Sequence, residues 1–259
     1  MQEGFVKTEL KNGIANITFF HPQSNSMPGY QLKALADEVT KAGANKEARV
    51  IVLKSEGDSL PAGKAGAFCA GASFDELINI KDIDTGIKFF SGFAGVINAM
   101  RKAPKFVLVR VQGKAVGGGV GIASSGDYTF AVKGASVKLS ELAMGIGPFV
   151  VGPAVQRKIG TSAFAELTIN ATEWRDATWA REKGLYNDLH ENVEEMDKAI
   201  DALGQKLAGS NPEAMAMLKK IMWEGTENWD QLLIERAGIS GKLVLSDFTI
   251  RAITKFKAK

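Results

Sequence analysis

The chain contains very little cysteine. Cys69 is the one cysteine among 259 residues, so no disulfide can form within the chain. The first five residues carry no basic stretch followed by an apolar one, which a secretory signal would need. Both observations predict a cytoplasmic protein, because thiols stay reduced in that compartment.

Long apolar runs and a strong excess of one charge are missing as well. The longest apolar stretches, such as 106–109 and 149–151, fall far short of the ~20 residues of a membrane-spanning helix. The formal net charge is +3, and the lysines are scattered apart from Lys255, Lys257 and Lys259. We therefore expect neither a membrane nor a nucleic acid as partner. The terminal lysines are expected on a solvated helix face or at a site for an anionic ligand.

The composition is otherwise that of a globular protein, and strand and helix patterns alternate along it. Hydrophobic residues make up 45% of the chain and charged residues 24%, which are typical values. The length allows one large domain or two small ones. Alternating elements favour an α/β fold with right-handed crossovers. The predicted strands are 14–19, 49–54, 105–111 and 127–132, and the predicted helices are 30–44, 85–101 and 120–125.

The last quarter of the chain has a helical pattern throughout. Asn211 ahead of Pro212 predicts the start of one helix, and another is predicted from Trp229 to the end. We divide the chain accordingly into a core of residues 1–193 and a C-terminal helical subdomain of residues 194–259. The subdomain is rich in methionine and tryptophan, which fits either burial against the core or a contact between subunits.

Two turns built of small residues carry the clearest functional information. Residues 69–73 are Cys-Ala-Gly-Ala-Ser, and residues 113–121 are Gly-Lys-Ala-Val-Gly-Gly-Gly-Val-Gly. Each turn lies between a strand pattern and a helix pattern, where backbone N–H groups lack acceptors within the helix. Small residues let a substrate come close to such donors. Two such turns could hold one oxygen that gains negative charge during a reaction.

The two segments and their spacing resemble the crotonase superfamily of enoyl-CoA hydratases and isomerases. The resemblance extends from about Ile14 to the C-terminus. It implies a crotonase-type spiral of β-β-α repeats, followed by a C-terminal helical subdomain, and a homotrimer or a dimer of trimers. It also implies that the amides of Ala72 and Gly118 hold a thioester oxygen. The implied substrate is an acyl-CoA thioester, so coenzyme A is part of the substrate and neither a separate cofactor nor a metal is expected.

The resemblance also implies where the coenzyme A part of the substrate lies. The loop ahead of the first turn is similar to the family loop that borders adenine and pantetheine, which implies contacts from Lys64, Ala65 and Gly66. Ala70 and Gly117, in the two turns, are further implied contacts. On its own, Lys64 fits a phosphate partner and a solvated surface equally well.

Glu141 is the candidate acid and base. From the residues alone, Ser140 and Glu141 fit the N-cap and first turn of a helix. The resemblance instead matches Glu141 to the second of two glutamates in family hydratases, and Gly121 stands where the first would be. Hydration uses two carboxylates to hold and split one water, whereas one carboxylate is enough to move a proton. These residues therefore favour double-bond isomerisation through an enolate, and Gly121 is expected to leave free space in the site.

The surroundings of Glu141 are expected to be apolar. An apolar wall that excludes water would raise the pKa of a glutamate towards ~6 or 7, and such a pKa suits a base that works at neutral pH. Residues 148–157 depart from the family pattern that lines the acyl pocket, so acyl specificity is not carried over. The residues expected in the wall are Leu139, Leu142, Met144, Ile146, Phe149 and Val150.

Other functions stay open at this point. Hydration is possible if Glu141 and the hydroxyl of Ser140 or Ser73 together hold a water. A non-catalytic acyl-CoA-binding protein is a second alternative, because the first family glutamate is missing. A dinucleotide-binding module is weaker, since residues 112–116 separate the strand from the glycines. No Gly-x-Ser-x-Gly motif accompanies the two histidines, which argues against a serine hydrolase.

Overall fold

The structure is a computed structural model that describes residues 4–57 and 66–257. Its strands, in chain order, are β1 (Phe5–Lys11), β2 (Ile14–Phe20), β3 (Val50–Ser55), β4 (Ala67–Cys69), β5 (Val107–Val111), β6 (Lys114–Val116), β7 (Tyr128–Val132), β8 (Ser136–Lys138), β9 (Arg175–Asp176) and β10 (Asp188–His190). Its helices are α1 (Gly29–Ala44), α2 (Phe74–Leu77), α3 (Ile83–Lys102), α4 (Gly118–Ser124), α5 (Gly152–Ile169), α6 (Ala177–Glu182), α7 (Val193–Ala208), α8 (Pro212–Met222), α9 (Trp229–Leu243) and α10 (Asp247–Lys257).

The strands form two sheets. The large sheet has the order β1-β2-β3-β5-β7-β10, in which β1 is antiparallel to β2 and the other neighbours pair in parallel. Its inner strands are almost wholly buried and apolar, as parallel strands covered on both faces are. The small sheet has the order β4-β6-β8-β9, with β4, β6 and β8 parallel. The prediction of an α/β fold is confirmed.

The chain alternates between the two sheets. β3, β5 and β7 belong to the large sheet, and β4, β6 and β8, which follow them in turn, belong to the small one. A helix follows each of these three strands of the small sheet: α2 and α3 follow β4, α4 follows β6, and α5 follows β8. The small sheet therefore receives one strand from each of three successive segments, and the loops after those strands lie side by side.

Helix α3 links the core to the C-terminal helices. It begins at the N-cap Asp82, whose carboxylate accepts a hydrogen bond from the N–H of Thr85 (2.7 Å), and it ends ahead of Pro104. It packs on both α1 and α9. The contact with α9 is close because Gly86 faces Gly241, and a Cβ on Gly86 would lie 2.8 Å from the Cα of Gly241. This close approach places Ser240 of α9 in the wall of the cavity that is described in the next subsection.

In the part of the chain that the structure describes, four helices, α7 to α10, follow β10. The predicted start at Asn211 is confirmed, since its side chain accepts hydrogen bonds from the first turn of α8. The prediction of one helix from Trp229 to the end is wrong, because the chain forms α9 and α10 with a break at residues 244–246. The hydroxyl of Ser246 accepts a hydrogen bond from the N–H of Thr249 (3.3 Å) and so caps the second of these helices. The boundary at residue 193 stays a prediction.

A buried ion pair fixes α8 to the residue that directly precedes β7, an inner strand of the large sheet. The ammonium group of Lys219 lies 2.8 Å from the carboxylate of Asp127, and both side chains are almost completely buried. The same ammonium group donates to the carbonyls of Met100 and Lys105. The indole of Trp223 donates to the other oxygen of Asp127 (2.8 Å). None of the described helices is both long and apolar enough to cross a membrane.

Candidate active site

The candidate site lies at the carboxyl ends of three parallel strands. Ala115 of β6 pairs with Cys69 of β4 on one side and with Val137 of β8 on the other. Parallel strands end at the same edge of a sheet, and ligands of α/β proteins commonly bind there. The three segments that follow these strands, with residues 70–72, 117–118 and 140–141, line one cavity.

Ala72 and Gly118, whose amides are the predicted oxyanion donors, both line this cavity. The N–H of Met27 donates to the carbonyl of Gly71 (2.8 Å), and the N–H of Ser73 donates to the carbonyl of Met27 (3.3 Å). These bonds do not use the N–H of Ala72. Gly118 is the first residue of α4, so its N–H has no acceptor within the helix. Within residues 4–57 and 66–257, neither amide donates to a backbone oxygen.

Glycines bring the two turns together. Gly71 has a φ of 87°, and a Cβ on it would lie 2.8 Å from the carbonyl oxygen of Val116 and 3.4 Å from the nitrogen of Gly118. Gly117 also has a positive φ, 52°, and its N–H donates to the carbonyl of Lys138 (2.9 Å). Both glycines adopt backbone angles that other residues rarely take. As a result, the two free amides lie on adjoining turns.

Glu141 carries a buried carboxylate. The residue as a whole keeps some exposure, but its Oε2 atom is shielded from solvent and has no hydrogen-bond partner among the described residues. Its Oε1 atom lies 2.9 Å from the position that a Cβ on Gly117 would occupy. Burial raises the pKa of Glu141 to about 7, opposed in part by a hydrogen bond from its own backbone amide. A carboxyl group with such a pKa can accept and return a proton near neutral pH.

The cavity in front of Glu141 is narrow and mainly apolar. Its volume is about 70 Å³. Three polar side chains reach its wall, those of Ser140, Glu141 and Ser240, so among the described residues Glu141 is the one titratable group that lines it. The larger apolar residues in the wall are Phe74, Leu77, Phe90, Phe93, Met144, Ile146, Phe149, Val150, Val151 and Ile253.

The position of a second carboxylate is filled by an apolar side chain. Gly121 lies in α4, and a Cβ built on it would lie 2.5 Å from the Cβ and the Cγ1 of Val151. Packed protein interiors do not accommodate such distances without movement. The expectation that Gly121 leaves free space is therefore wrong. Val151 belongs to the segment 148–157 that departs from the family pattern, and it lines the cavity at this point.

The predicted apolar wall is confirmed for four residues and wrong for one. Met144, Ile146, Phe149 and Val150 line the cavity, whereas Leu142 is 49% exposed. Leu139, the sixth, is fully buried beside the cavity lining. The alternative of a helix beginning at Ser140 is also wrong. The chain forms a turn there, in which the N–H of Met144 bonds to the carbonyls of Ser140 and Glu141, and this turn points Leu142 outward.

The two hydroxyl groups proposed to assist Glu141 have different positions. The hydroxyl of Ser73 accepts a hydrogen bond from the N–H of Glu76 (3.4 Å) and caps α2. Ser140 lines the cavity beside Glu141. Ser140 is thus the hydroxyl that could contact a small molecule near Glu141.

A second cavity adjoins the first and accommodates some of the predicted coenzyme A contacts. Ala70 lines both cavities and Gly117 lines the first. The carbonyl of Gly66 accepts a hydrogen bond from the N–H of Lys114 (2.8 Å). Lys64 and Ala65 lie outside the described residues. The second cavity has a volume of about 440 Å³ and is lined by Gln23, Ser24, Ser26, Ala70, Ala72, Phe74, Asp75, Val116, Lys138, Ser140, Met144 and Trp174.

Sequence reasoning missed the residues that distant segments bring to the site. Ser240 and Ile253 come from α9 and α10, about 100 residues beyond Glu141, and no local pattern marks them. Phe90 and Phe93 lie on the buried face of α3, within the predicted helix 85–101, and their spacing along the chain does not assign them to the site. Cys69, at the end of β4, is buried, and burial raises the pKa of its thiol to about 12, against a hydrogen bond from the amide of Gly71.

Comparison with known proteins places the chain in a family. A family model described as "Enoyl-CoA hydratase/isomerase" matches residues 9–240. Human mitochondrial methylglutaconyl-CoA hydratase is 30% identical over 208 residues, which cover 78% of this chain and 58% of that protein. The match thus spans less than two thirds of that relative. The (7aS)-7a-methyl-1,5-dioxo-2,3,5,6,7,7a-hexahydro-1H-indene-carboxyl-CoA hydrolase of Mycobacterium tuberculosis is 24% identical over 220 residues, 83% of this chain and 82% of that protein.

Solved structures agree on the fold. The enoyl-CoA hydratase of Bacillus halodurans has a TM-score of 0.86 at 19% identity, over 96% of this chain and 99% of that one. An enoyl-CoA hydratase from Mycobacterium avium has a TM-score of 0.84 at 23% identity, over 98% and 96%. Identities this low are informative about the fold alone. Together with the family model that spans most of the sequence, they identify the chain as a member of the enoyl-CoA hydratase/isomerase family, the crotonase superfamily.

Proposed function

We propose that the protein moves the double bond of an acyl-CoA thioester, with Glu141 as its single acid and base. The observation that carries this proposal is the contact between Gly121 and Val151, which leaves Glu141 as the one carboxylate in the described cavity. Isomerisation moves one proton and needs one carboxylate. Hydration adds the oxygen of water to one carbon and a proton to the next, and two carboxylates assist it. An isomerase therefore fits this set of residues better than a hydratase.

In the proposed reaction, Glu141 removes a proton from carbon 2 of a 3-enoyl thioester. The electrons of that C–H bond move into the thioester, whose oxygen becomes an enolate oxygen held by the amides of Ala72 and Gly118. Glu141 then returns the proton to carbon 4, and the double bond lies between carbons 2 and 3. Each preorganised donor of this kind typically lowers a barrier by ~3 kcal/mol. Free amides on adjoining turns support this role.

Hydration is the second candidate, and one observation favours it. Ser140 lines the cavity next to Glu141, so a water could be held between its hydroxyl and the carboxylate. Relatives carry hydratase names, which agrees with either reaction at this degree of identity. A non-catalytic acyl-CoA-binding protein would lack proton exchange at carbon 2 altogether.

The products distinguish these reactions by mass. We expect incubation with trans-3-enoyl-CoA to give a 2-enoyl product of unchanged mass, and incubation with trans-2-enoyl-CoA in labelled water to introduce no oxygen. Mass spectrometry of both mixtures makes the measurement. A product that is heavier by one water would establish hydration, and recovery of both thioesters unchanged would point to binding without catalysis.

The rate should depend on pH through Glu141. Its pKa is raised to about 7 by burial, and a base must be ionised to accept a proton. We therefore expect kcat/KM for the 3-enoyl thioester to rise about tenfold per pH unit well below 7 and to level off above 7. A rate that stays constant between pH 5.5 and 8.5 would contradict Glu141 as the base.

The overall organisation is also part of the proposal. The alternation of strands between the sheets supports a crotonase-type spiral of β-β-α repeats. Helix α8 carries exposed apolar side chains, with Met217, Leu218 and Ile221 each more than half exposed, and this supports the predicted contact between subunits of a trimer. Size-exclusion chromatography with light scattering gives the number of subunits.

A further inference from the structure

Two lysines share one tryptophan at the second cavity. The Nζ atom of Lys138 lies 4.4 Å from the ring centre of Trp174, and the Nζ atom of Lys114 lies 5.2 Å from it. The register of the strands explains why the two lysines lie close together. Val116 pairs with Lys138 across parallel strands, so Lys114 and Lys138 extend from the same face of the small sheet. Trp174 directly precedes β9, the next strand along.

The two ammonium groups lie over one ring, and among the described residues no carboxylate is in ion-pair contact with either of them. Within the described residues, neither forms an ion pair shorter than 4.0 Å. Burial lowers the pKa of Lys138, and the positive charge of Lys114 lowers it further, against a weaker effect of Glu173. The ring face attracts both cations, but it carries no net charge. An anion placed between the lysines would remove the repulsion and gain two charge-assisted hydrogen bonds.

This cluster lies along the path to Glu141. Lys138 and Trp174 line the second cavity, which shares Ala72 and Ser140 with the first. Lys138 precedes Glu141 by three residues, a separation of at most about 10 Å in extended chain. The first cavity ends in apolar side chains and suits the acyl chain, whereas the second has polar and charged side chains in its wall. A thioester held by the amide of Ala72 would extend one end into each cavity.

We propose that Lys114, Lys138 and Trp174 form an anion-binding site that recognises negatively charged oxygens carried by the substrate. The shared chemistry is that of a phosphate or a carboxylate, which lysines bind as compact point charges. The source is a phosphate of the coenzyme A part or a carboxylate on the acyl group. The ligand class rests on the proposed function, since it takes the substrate to be a coenzyme A thioester.

The test compares ligands that differ in charge. Binding of CoA, 3′-dephospho-CoA and pantetheine is measured by isothermal titration calorimetry for the full chain and for Lys114→Met, Lys138→Met and the double variant. For a phosphate ligand, we expect each single change to weaken CoA binding at least tenfold and pantetheine binding less than twofold. Lys46→Met removes an exposed lysine far along the chain and is the matched control, expected to bind CoA as the unchanged protein does.

A second set of ligands tests the acyl group as the source of the negative charge. It consists of succinyl-pantetheine, which has a terminal carboxylate, and butyryl-pantetheine, which has none. If the carboxylate is the source, the unchanged protein binds the succinyl thioester more tightly than the butyryl thioester. In the Lys114→Met/Lys138→Met variant, we expect the ratio of these two affinities to fall at least tenfold. Either result supports the site. Variants that bind every ligand as the unchanged protein does, or that lose affinity for charged and uncharged ligands equally, overturn it, with thermal unfolding confirming that the variants are folded.

These measurements need no turnover. They therefore test the anion-binding site independently of the proposed isomerisation. A protein that binds CoA through the two lysines yet converts no enoyl thioester would contradict the proposed isomerisation and leave the anion site standing. A protein that isomerises normally with both lysines replaced and with unchanged KM would contradict the site alone. Quenching of Trp174 fluorescence by CoA, lost in Trp174→Phe, is expected as a direct signature of occupancy.

Discussion

Glu141→Gln should reduce the rate of double-bond movement by roughly 10³-fold or more, because general acid and base catalysis typically contributes ~10²–10⁴-fold and the described cavity has no second carboxylate to take over. Glutamine keeps the shape of the side chain, so the affinity for an acyl-CoA thioester should change little. Stopped assays with trans-3-enoyl-CoA and calorimetry with a saturated thioester measure the two quantities separately. Glu182→Gln, on the exposed end of α6, is the matched control. Turnover of Glu141→Gln within tenfold of the unchanged protein would remove Glu141 from the reaction.

The same substitution should make the protein more stable at neutral and alkaline pH. The pKa of Glu141 is about 7 in the folded protein against an ordinary value of 4.5, so the folded state holds this proton more tightly than the unfolded state does. Below pH 4.5 the group is protonated in both states and costs nothing. As the pH rises from 4.5 to 7 the unchanged protein loses stability, by an upper limit of roughly 3 kcal/mol at 1.36 kcal/mol per pKa unit.

Glu141→Gln lacks this loss. Its free energy of unfolding should therefore exceed that of the unchanged protein above pH 7 and approach it near pH 4.5. Urea unfolding at pH 4.5 and pH 8 gives the comparison, with Glu182→Gln again as the control. If the difference between the two proteins is the same at both pH values, the carboxylate is not buried as described.

Gly121→Ala should destabilise the protein although alanine favours helices. Its Cβ would lie 2.5 Å from the Cβ of Val151, an overlap that neighbouring backbone must relieve, and overpacking of this kind typically costs ~1–3 kcal/mol. Val151→Ala in the same chain keeps the Cβ but removes the Cγ1 contact, so the double variant should recover part of that loss. A double-mutant cycle of urea unfolding measures the coupling between the two positions.

Gly238→Ala is the matched control for this cycle. Gly238 also lies inside a helix, and a Cβ on it would meet nothing within 4 Å. We expect this change to be neutral or to stabilise by up to ~1 kcal/mol, the ordinary gain from alanine in a helix. If Gly121→Ala is equally harmless, Val151 does not fill the space next to Gly121, and the reason for preferring isomerisation over hydration is lost.

The sequence was sufficient for the features that depend on neighbouring residues. The glycine turns, the long helices α1 and α3 and the inner strands of the large sheet follow from local spacing, and they place Ala72, Gly118 and Glu141 at adjoining strand ends. Strands of two or three residues, such as β8 and β9, are too short to show an alternation of apolar and polar residues. Helix α5 also went unpredicted. The break before α10 had a local sign, Ser246 ahead of Thr249, which fits a cap.

Features that depend on packing between distant segments could not be predicted. Gly121 suggested an empty space, because nothing in its own surroundings along the chain points to Val151, thirty residues on. The arrival of Ser240 and Ile253 in the site depends on how closely α9 crosses α3 at Gly86 and Gly241. The pairing of Lys114 and Lys138 over Trp174 depends on strand register, which the sequence alone does not specify.

The buried thiol of Cys69 has a chemical consequence for the proposed reaction, whose substrate is a thioester. A thiolate beside such a substrate could take over the acyl group by transthioesterification and leave the enzyme acylated. With a pKa of about 12, this sulfur stays protonated at physiological pH, and it is fully buried at the end of β4, the strand that leads into the first turn. Under the proposed function, the protein would therefore hold an acyl thioester without transferring the acyl group to this cysteine, and thiol-directed alkylating reagents should leave the folded protein unmodified.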